Sequence, residues 1–178
     1  MNLNPPPPQN HFLNSLDNFA KDFLLKNVDK MPMRFVKMLA FYYGDAVVRK
    51  VYLNRLGFVL GENSFTNLGL QFTPNDDFSP SVCVGNNVSI APNVAFIPNS
   101  APNNSPTLCQ NPYVSKNLVR YKNTIFVEDD VWIGAGAVIL SGVRLRRACI
   151  IGAGAVVTKN TDAFSIYAGV PAKKIRQI

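Results

Sequence analysis

Histidine is nearly missing from these 178 residues: His11 is the single one. A zinc site built on three histidines is thereby excluded. The three cysteines, Cys83, Cys109 and Cys149, have no metal-ligand spacing, and an odd number cannot close a disulfide framework, which fits a reducing compartment. No stretch approaches the ~20 apolar residues that span a bilayer. Met1 to Asn10 also lacks the charged and apolar regions of a secretory signal, so the expected address is the cytoplasm. Acidic residues are the minority, 11 against 18 basic, and the net charge of +7 invites anionic partners. No helix-turn-helix, zinc-finger or RNP-type pattern accompanies that charge, and aromatics do not alternate with arginines, so nucleic acid is set aside. With 47% hydrophobic and 16% charged residues the chain reads as one globular unit.

What is present divides the chain. Pro5 to Pro8 make residues 1–10 a polyproline-like arm. Phe12, Leu16, Phe19 and Phe23 recur at helical spacing and predict a short amphipathic helix. A second helix is expected from Pro32, which suits a first turn, to Gly57, which can supply a left-handed residue past the end. Phe35, Leu39, Tyr42, Val47, Val51 and Leu56 roughly keep one face of it, although Gly44 weakens the middle. Lys37, Arg49, Lys50 and Arg55 make this segment basic. It reads as a cap over the next domain with solvated charges, the other reading being a membrane-surface helix.

After Gly57 the period becomes six. Leu60, Thr66, Phe72, Phe78, Val84, Ile90 and Phe96 form one series. After an interruption Tyr121, Val127, Ile133, Ile139, Leu145, Ile151 and Val157 form another, and all but Thr66 are apolar. Four residues after most of these comes a second set, mostly small or apolar: Leu70, Val82, Val88, Val94, Ile125, Val131, Ala137, Val143, Cys149 and Ala155, with Ser64 and Asp76 polar. Strands alternate every two residues and helices every 3.6, so a sustained period of six requires short strands joined by tight corners. Three hexads make one triangular coil, and the inward aliphatic stacks on its equivalent eighteen residues on. Ile133 over Ile151 and Val127 over Leu145 are two such expected pairs. Residues 102–120 break the rhythm and should project from a corner. The expected fold is mainly β, a parallel β-helix over residues 58–166 with a helical segment at 11–57, a protruding loop at about 102–120 and a tail at 167–178.

The run from Val131-Trp132-Ile133-Gly134-Ala135-Gly136 through Ile151-Gly152-Ala153-Gly154, followed by Ala168-Gly169-Val170-Pro171-Ala172-Lys173, resembles the hexapeptide-repeat acyltransferases. It is most similar to the branch of maltose, galactoside and polysaccharide O-acetyltransferases. The resemblance implies a left-handed β-helix, a homotrimer with active sites between protomers, and acetyl-CoA (coenzyme A) as donor to a sugar or polysaccharide precursor. It implies that Gly134, Ala135, Ala153 and Gly154 lie where the pantetheine arm approaches the backbone. The alternative is that they only make tight corners. Thr158, Lys159, Lys173 and Arg176 match positions that contact the adenine-ribose-phosphate end, and small cationic clusters suit such an anion. Trp132 either walls the acyl site or covers an outer sheet face. A β-helical carbonic anhydrase is excluded by the lone histidine, and a nucleotidyltransferase is disfavoured because the sequence shows no trace of the nucleotide-binding domain that precedes its β-helix.

Acetyl transfer to a hydroxyl requires its proton to be removed. The family's histidine falls on Ala101, within Asn99-Ser100-Ala101-Pro102-Asn103-Asn104. General-base catalysis is worth roughly 10² to 10⁴-fold, so three readings stay open. The acceptor is an amino sugar oriented by Asn99, Asn103 or Asn104. Alternatively His11, Asp129 or Asp130 reaches a neighbouring site, or the protein is a scaffold or coenzyme-binding module without catalysis. Asparagine-rich turns are also commonly structural. O- versus N-acetylation and peripheral membrane association are both left open.

Overall fold

The computed structural model describes residues 11–102, 104–119 and 123–178. The proline-rich arm, Asn103 and Tyr121 lie outside them.

From Phe58 onward the chain winds as a triangular parallel β-helix. The first coil contains β1 (Phe58–Leu60), β2 (Phe65–Thr66) and β3 (Gln71–Phe72). The second contains β4 (Val82–Val84), β5 (Ser89–Ile90) and β6 (Ala95–Ile97). Between the second and third coils stand two short exposed helices, α4 (Pro106–Cys109) and α5 (Pro112–Asn117). The third coil then supplies β7 (Ile125–Val127), β8 (Trp132–Ile133) and β9 (Val138–Leu140). The fourth has β10 (Arg144–Leu145), β11 (Ile150–Ile151) and β12 (Val156–Val157). Like strands pair in parallel, giving sheet A (β1-β4-β7-β10), sheet B (with β2-β5-β8-β11) and sheet C (β3-β6-β9-β12).

The inward positions form the core because strand alternation aims every second side chain into the prism. Val127 stacks on Leu145, Ile133 on Ile151, and Ile139 on Val157. Each is at most 3% exposed, and fully burying one such aliphatic contributes about 1.5–3 kcal/mol. Phe58 meets Phe72 and Phe96 edge to face at centroid distances of 5.2 and 5.0 Å, which fills the interior of the first two coils.

One member of the six-residue series is misplaced. Leu60 pairs with Val84 instead of Phe78, and Phe72 with Phe96. Phe78 is half-buried with φ 53° in a turn outside the strands. Its hexad fails because the local polar groups bond their own chain. The buried Asn75 donates to Ser79 O at 3.2 Å and Ser79 Oγ at 2.9 Å, and Ser79 N–H donates to Asp77 Oδ1 at 3.1 Å. Pro74 and Pro80, lacking N–H donors, flank this turn. Asp76, placed in the second inward set by its spacing, is exposed for the same reason.

Left-handed residues recur at the corners. Asn63, Asn87, Asp130, Ala148 and Phe164 hold φ between 51° and 61° at the corner between sheets A and B. Between sheets B and C that place is taken by Gly69, Asn93, Gly136 and Gly154. Asparagine and aspartate tolerate this region better than other side chains.

The N-terminal helices close the prism. The expected second helix is two: α2 (Met33–Tyr42) and α3 (Ala46–Arg55), broken at Tyr43 and Gly44 and restarted by Asp45, whose carboxylate caps Val47 and Val48 N–H at 2.9 and 3.0 Å. Gly57 ends the segment at φ 86° as expected. Val36, Leu39, Val48, Leu53 and Leu56 are buried, whereas Phe35, Tyr42 and Val47 of the expected face are exposed. α3 packs on β1 and β2. Its charges are not simply solvated. Arg49 is only 4% exposed and donates to Tyr43 O, Gly44 O and Thr66 O at 2.7, 2.8 and 2.6 Å, which ties the helix break to β2. Arg55 similarly donates to Val28 O, Met31 O and Asp29 O. α1 (His11–Lys26) is helical as expected, but its stripe of Phe12, Leu16, Phe19 and Phe23 faces outward. Leu24 and Leu25 make the core contacts instead.

At the far end β13 (Ser165–Ala168) continues sheet B beside β11, and β14 (Lys173–Gln177) folds back antiparallel on it. The tail is therefore a strand. Ala172 N–H donates to Val156 O at 2.8 Å, so the Gly169–Ala172 turn covers β12.

Candidate functional site

The corner after β8 and β11 stacks Gly134-Ala135-Gly136 beneath Gly152-Ala153-Gly154. Gly134 has no room for a side chain: a Cβ would stand 2.6 Å from Ala153 N and 2.8 Å from Ile151 O. Coil stacking alone therefore requires this glycine. Gly136 and Gly154 differ, because a Cβ there would meet nothing within 4 Å. Their glycines answer to φ of 68° and 67°. One coil earlier the same corner is filled, since a Cβ on Gly69 would collide with the Asn93 side chain at 2.0 Å. Ala135, Gly136, Ala153 and Gly154 are exposed.

Main-chain groups at this corner are open too. Gly154 N–H is spent on Ala135 O at 2.8 Å and Gly136 N–H on Pro92 O at 3.0 Å. Among the described residues the N–H groups of Ala135 and Ala153 have no acceptor. Low side chains beside free amide donors suit a thin, amide-bearing chain laid along the corner. Trp132, just before it, is 57% exposed on the outer face of sheet B.

Thr158 and Lys159 follow β12 and are exposed, as are Lys173 and Arg176 on β14. The Ala172 bond to Val156 brings the start of β14 close to the end of β12. Lys174 is engaged by Asp162 at 2.9 Å and Gln177 at 2.7 Å. Its hydrogen bond holds the Asp162 carboxyl below the ordinary carboxylate range. That pairing leaves Lys173 and Arg176 as the candidate anion contacts on this strand.

A cleft of about 310 Å³ opens between α5 and sheet C. It is lined by Ile97, Ser100, Asn117, Leu118, Leu140, Ser141 and Thr158. It joins the protruding loop, the neighbourhood of Ala101 and one coenzyme candidate in a single concavity. Of its lining, the family resemblance singled out only Thr158. Ser100, Asn117 and Ser141 gave no signal, because their convergence depends on how the irregular insertion folds back.

The candidate asparagines are not brought together as a set. Asn99 Nδ2 donates to Asn75 Oδ1 at 2.7 Å, bracing the turn before β4. Asn104 is exposed, and Asn103 lies outside the described residues. Asp129 and Asp130 sit at the other corner, between sheets A and B. Asp129 Oδ1 accepts from Asn86 N–H at 2.7 Å, and Asp130 takes Arg147 through two nitrogens at 3.2 and 3.1 Å. His11 is exposed at the start of α1.

Residues 124–159 match the family model of the bacterial transferase hexapeptide, six repeats. The third and fourth coils thus match the hexapeptide repeat. The fold is that of left-handed β-helix acetyltransferases. A maltose O-acetyltransferase from Clostridium difficile 630 superposes with TM-score 0.61 at 24% identity, covering 88% of each chain. A hexapeptide-repeat acetyltransferase from Vibrio cholerae gives 0.61 at 20%, covering 88% of this chain and 91% of that one. Galactoside acetyltransferase, solved in complex with coenzyme A, is 34% identical with TM-score 0.55, over 68% of this chain and 55% of that one. In sequence, 2,3,4,5-tetrahydropyridine-2,6-dicarboxylate N-acetyltransferase from Staphylococcus aureus is 53% identical over 53 residues, 30% of this chain. The match spans 22% of that relative's length.

Proposed function

We propose that this hexapeptide-repeat protein is an acetyl-CoA-dependent acetyltransferase acting on a sugar or glycan precursor. The observation that carries the reading is the exposed small-residue corner, with the unpaired Ala135 and Ala153 amides, leading to the cations of β14. The 34% identity to a galactoside acetyltransferase bound to coenzyme A supports it. Ala135 and Ala153 hold the pantetheine amides through main-chain donors. Gly134 and Gly154 keep the path low, and Trp132 borders it. Lys159, Lys173 and Arg176, with the Thr158 hydroxyl, hold the phosphate-bearing end. Acetyl-CoA supplies an activated thioester carbonyl, and the acceptor approaches from the cleft beside Ser100.

The cleft residues named above include no titratable side chain. A sugar hydroxyl attacking there surrenders its proton to a group from elsewhere, whereas a free amine, oriented by Asn99, Asn103 or Asn104, attacks without prior deprotonation. Release of free thiol from acetyl-CoA, measured over a panel containing sugar hydroxyls and amino sugars, tests the proposal. Turnover with at least one panel member is expected. Tight acetyl-CoA binding without turnover on any member would support the second reading, a coenzyme-binding β-helix without catalysis. The alanine at position 101, the family's histidine position, favours that reading.

The proposed working form is a homotrimer in the cytoplasm. The three free thiols fit a reducing compartment. Light scattering should then return three times the 19.6 kDa chain mass. Peripheral attachment to a membrane is a further part of the proposal, supported by the outward aromatic stripe of α1. Vesicle flotation with and without residues 1–56 tests it.

A further inference from the structure

β14 is paired out of step with β13. Ala168 stands opposite Lys173 and Tyr167 opposite Lys174, but Ile166 is opposite Arg176 and Ser165 opposite Gln177, which leaves Ile175 as an extra residue without a partner. Such a bulge changes which side chains share a face. In a regular strand, residues three apart point to opposite sides. Here Lys173 and Arg176 are opposite Ala168 and Ile166, two apart on β13, so they share one face, and Lys174 and Gln177 share the other. The 2.7 Å bond from Lys174 Nζ to Gln177 Oε1 agrees with that assignment. Ile166 is in register with Ile150, and Ile150 with Trp132, which sets Lys173 and Arg176 on the outer face of sheet B. Tyr167, in register with the buried Ile151, belongs to the opposite face. Neither Lys173 nor Arg176 has a carboxylate partner among the described residues.

Ile175 does not hold the bulge by packing, since it is 63% exposed. The hold comes from the other face of the hairpin. Before the bulge, Lys174 Nζ donates to Asp162 Oδ2 at 2.9 Å. After it, Gln177 Oε1 accepts from Ser165 Oγ at 2.9 Å and Gln177 Nε2 donates to Ala163 O at 3.1 Å. With both ends pinned, the strand between them cannot straighten. A straightened β14 would place Ile175 opposite Ile166 and Arg176 opposite Ser165, because a one-residue slip carries a side chain to the other face. We infer that Asp162, Lys174 and Gln177 are positioning residues, which keep β14 in its bulged register so that Lys173 and Arg176 present two cations side by side to the phosphates of the coenzyme. The inference rests on the acetyl-CoA reading and adds how its anion contact is built. Two residues along a strand span about 6.8 Å, and like charges at that spacing repel unless an anion lies between them. The arginine also offers a planar fork of donors that suits a phosphate.

Isothermal titration calorimetry of the full chain compares acetyl-CoA with S-acetylpantetheine, which carries the same thioester arm and no phosphate. The parent should bind acetyl-CoA the more tightly. Gln177→Ala should weaken acetyl-CoA binding about tenfold, as Arg176→Ala does, the scale of one hydrogen bond to a charged group. S-acetylpantetheine binding should not change. Added to Arg176→Ala, the Gln177→Ala change should cost less than about twofold more, because the group it positions is gone. Deleting Ile175 supplies the rescue. The shortened strand pairs regularly, with Lys173 and Arg176 still opposite Ala168 and Ile166, so in that background Gln177→Ala should bind acetyl-CoA with parental affinity. Ile175 and Gln177 are exposed, and thermal melts should match the parent. Parental acetyl-CoA affinity in Gln177→Ala, equal losses for both donors, or no rescue by the deletion overturns the positioning role and leaves the coenzyme reading standing. A parent that binds acetyl-CoA no more tightly than S-acetylpantetheine refutes the phosphate contacts of the coenzyme reading itself, and the positioning role falls with them.

Discussion

Gly134→Ala and Gly154→Ala look alike in sequence and should behave oppositely. At Gly134 the new methyl would lie 2.6, 2.8 and 2.9 Å from Ala153 N, Ile151 O and Gly152 C, all of them backbone atoms. The third and fourth coils must separate locally, stretching the Gly134 N–H bond to Ile151 O, now 2.8 Å. Overpacking of this kind costs about 1–3 kcal/mol. At Gly154 the methyl meets nothing, and the cost is limited to the left-handed backbone, about 1 kcal/mol. That methyl, however, rises into the proposed pantetheine path. Acetyl-CoA affinity should fall about tenfold, equivalent to ~1.4 kcal/mol. Urea unfolding measures the first quantity and isothermal titration calorimetry the second. A Gly134→Ala protein with an unfolding free energy within ~0.5 kcal/mol of the parent, the level of neutral surface changes, would refute the contact at this glycine. A Gly154→Ala protein binding acetyl-CoA at parental affinity would refute the proposed pantetheine path.

Three further outcomes follow from the same geometry. Ala101→His should raise acetyl transfer to a sugar hydroxyl, by up to the roughly 10²–10⁴-fold of a positioned base; no gain with any acceptor counts against that alignment. Arg49→Met should lower stability by about 3 kcal/mol in urea unfolding, because three carbonyls lose a buried donor, each worth ~1–3 kcal/mol when stranded and partly rescued by water. The Lys21 ammonium bonded to Asp45 at 2.7 Å holds that carboxyl below its usual range, with burial opposing. A lowered folded-state pKa stabilises above the unfolded value and is lost as pH falls through the folded one. Stability should therefore decline on acidification through that window, and Asp45→Asn, which can still cap α3, should flatten the decline in pH-dependent melts.

The solenoid was legible because its period is a property of every rung. Val127, Ile133 and Ile139 repeat as Leu145, Ile151 and Val157, and the stacking follows directly. Phe78 shows where such counting stops. Its spacing is right, but the neighbouring Asn75, Asp77 and Ser79 offer the backbone local partners, and these override the rung. Arg49 shows another limit, since spacing marks a charge without revealing that three carbonyls from two elements surround it. Small residues at the B–C corner were visible, but their two distinct causes, contact at Gly134 and backbone angle at Gly154, required coordinates. The cleft was not legible at all, because Ser100, Asn117 and Ser141 meet only through the folded insertion.

The central claim is that the donor lies along the corner carrying Ala135 and Ala153, and hydrogen exchange tests it most directly. Both residues are exposed and their N–H groups have no acceptor among the described residues, so both should exchange fast in the free protein. Saturating acetyl-CoA should slow exchange in peptides covering residues 134–137 and 152–159. Protection confined to the opposite corner at residues 128–130, or none under conditions where calorimetry shows binding, would contradict the account.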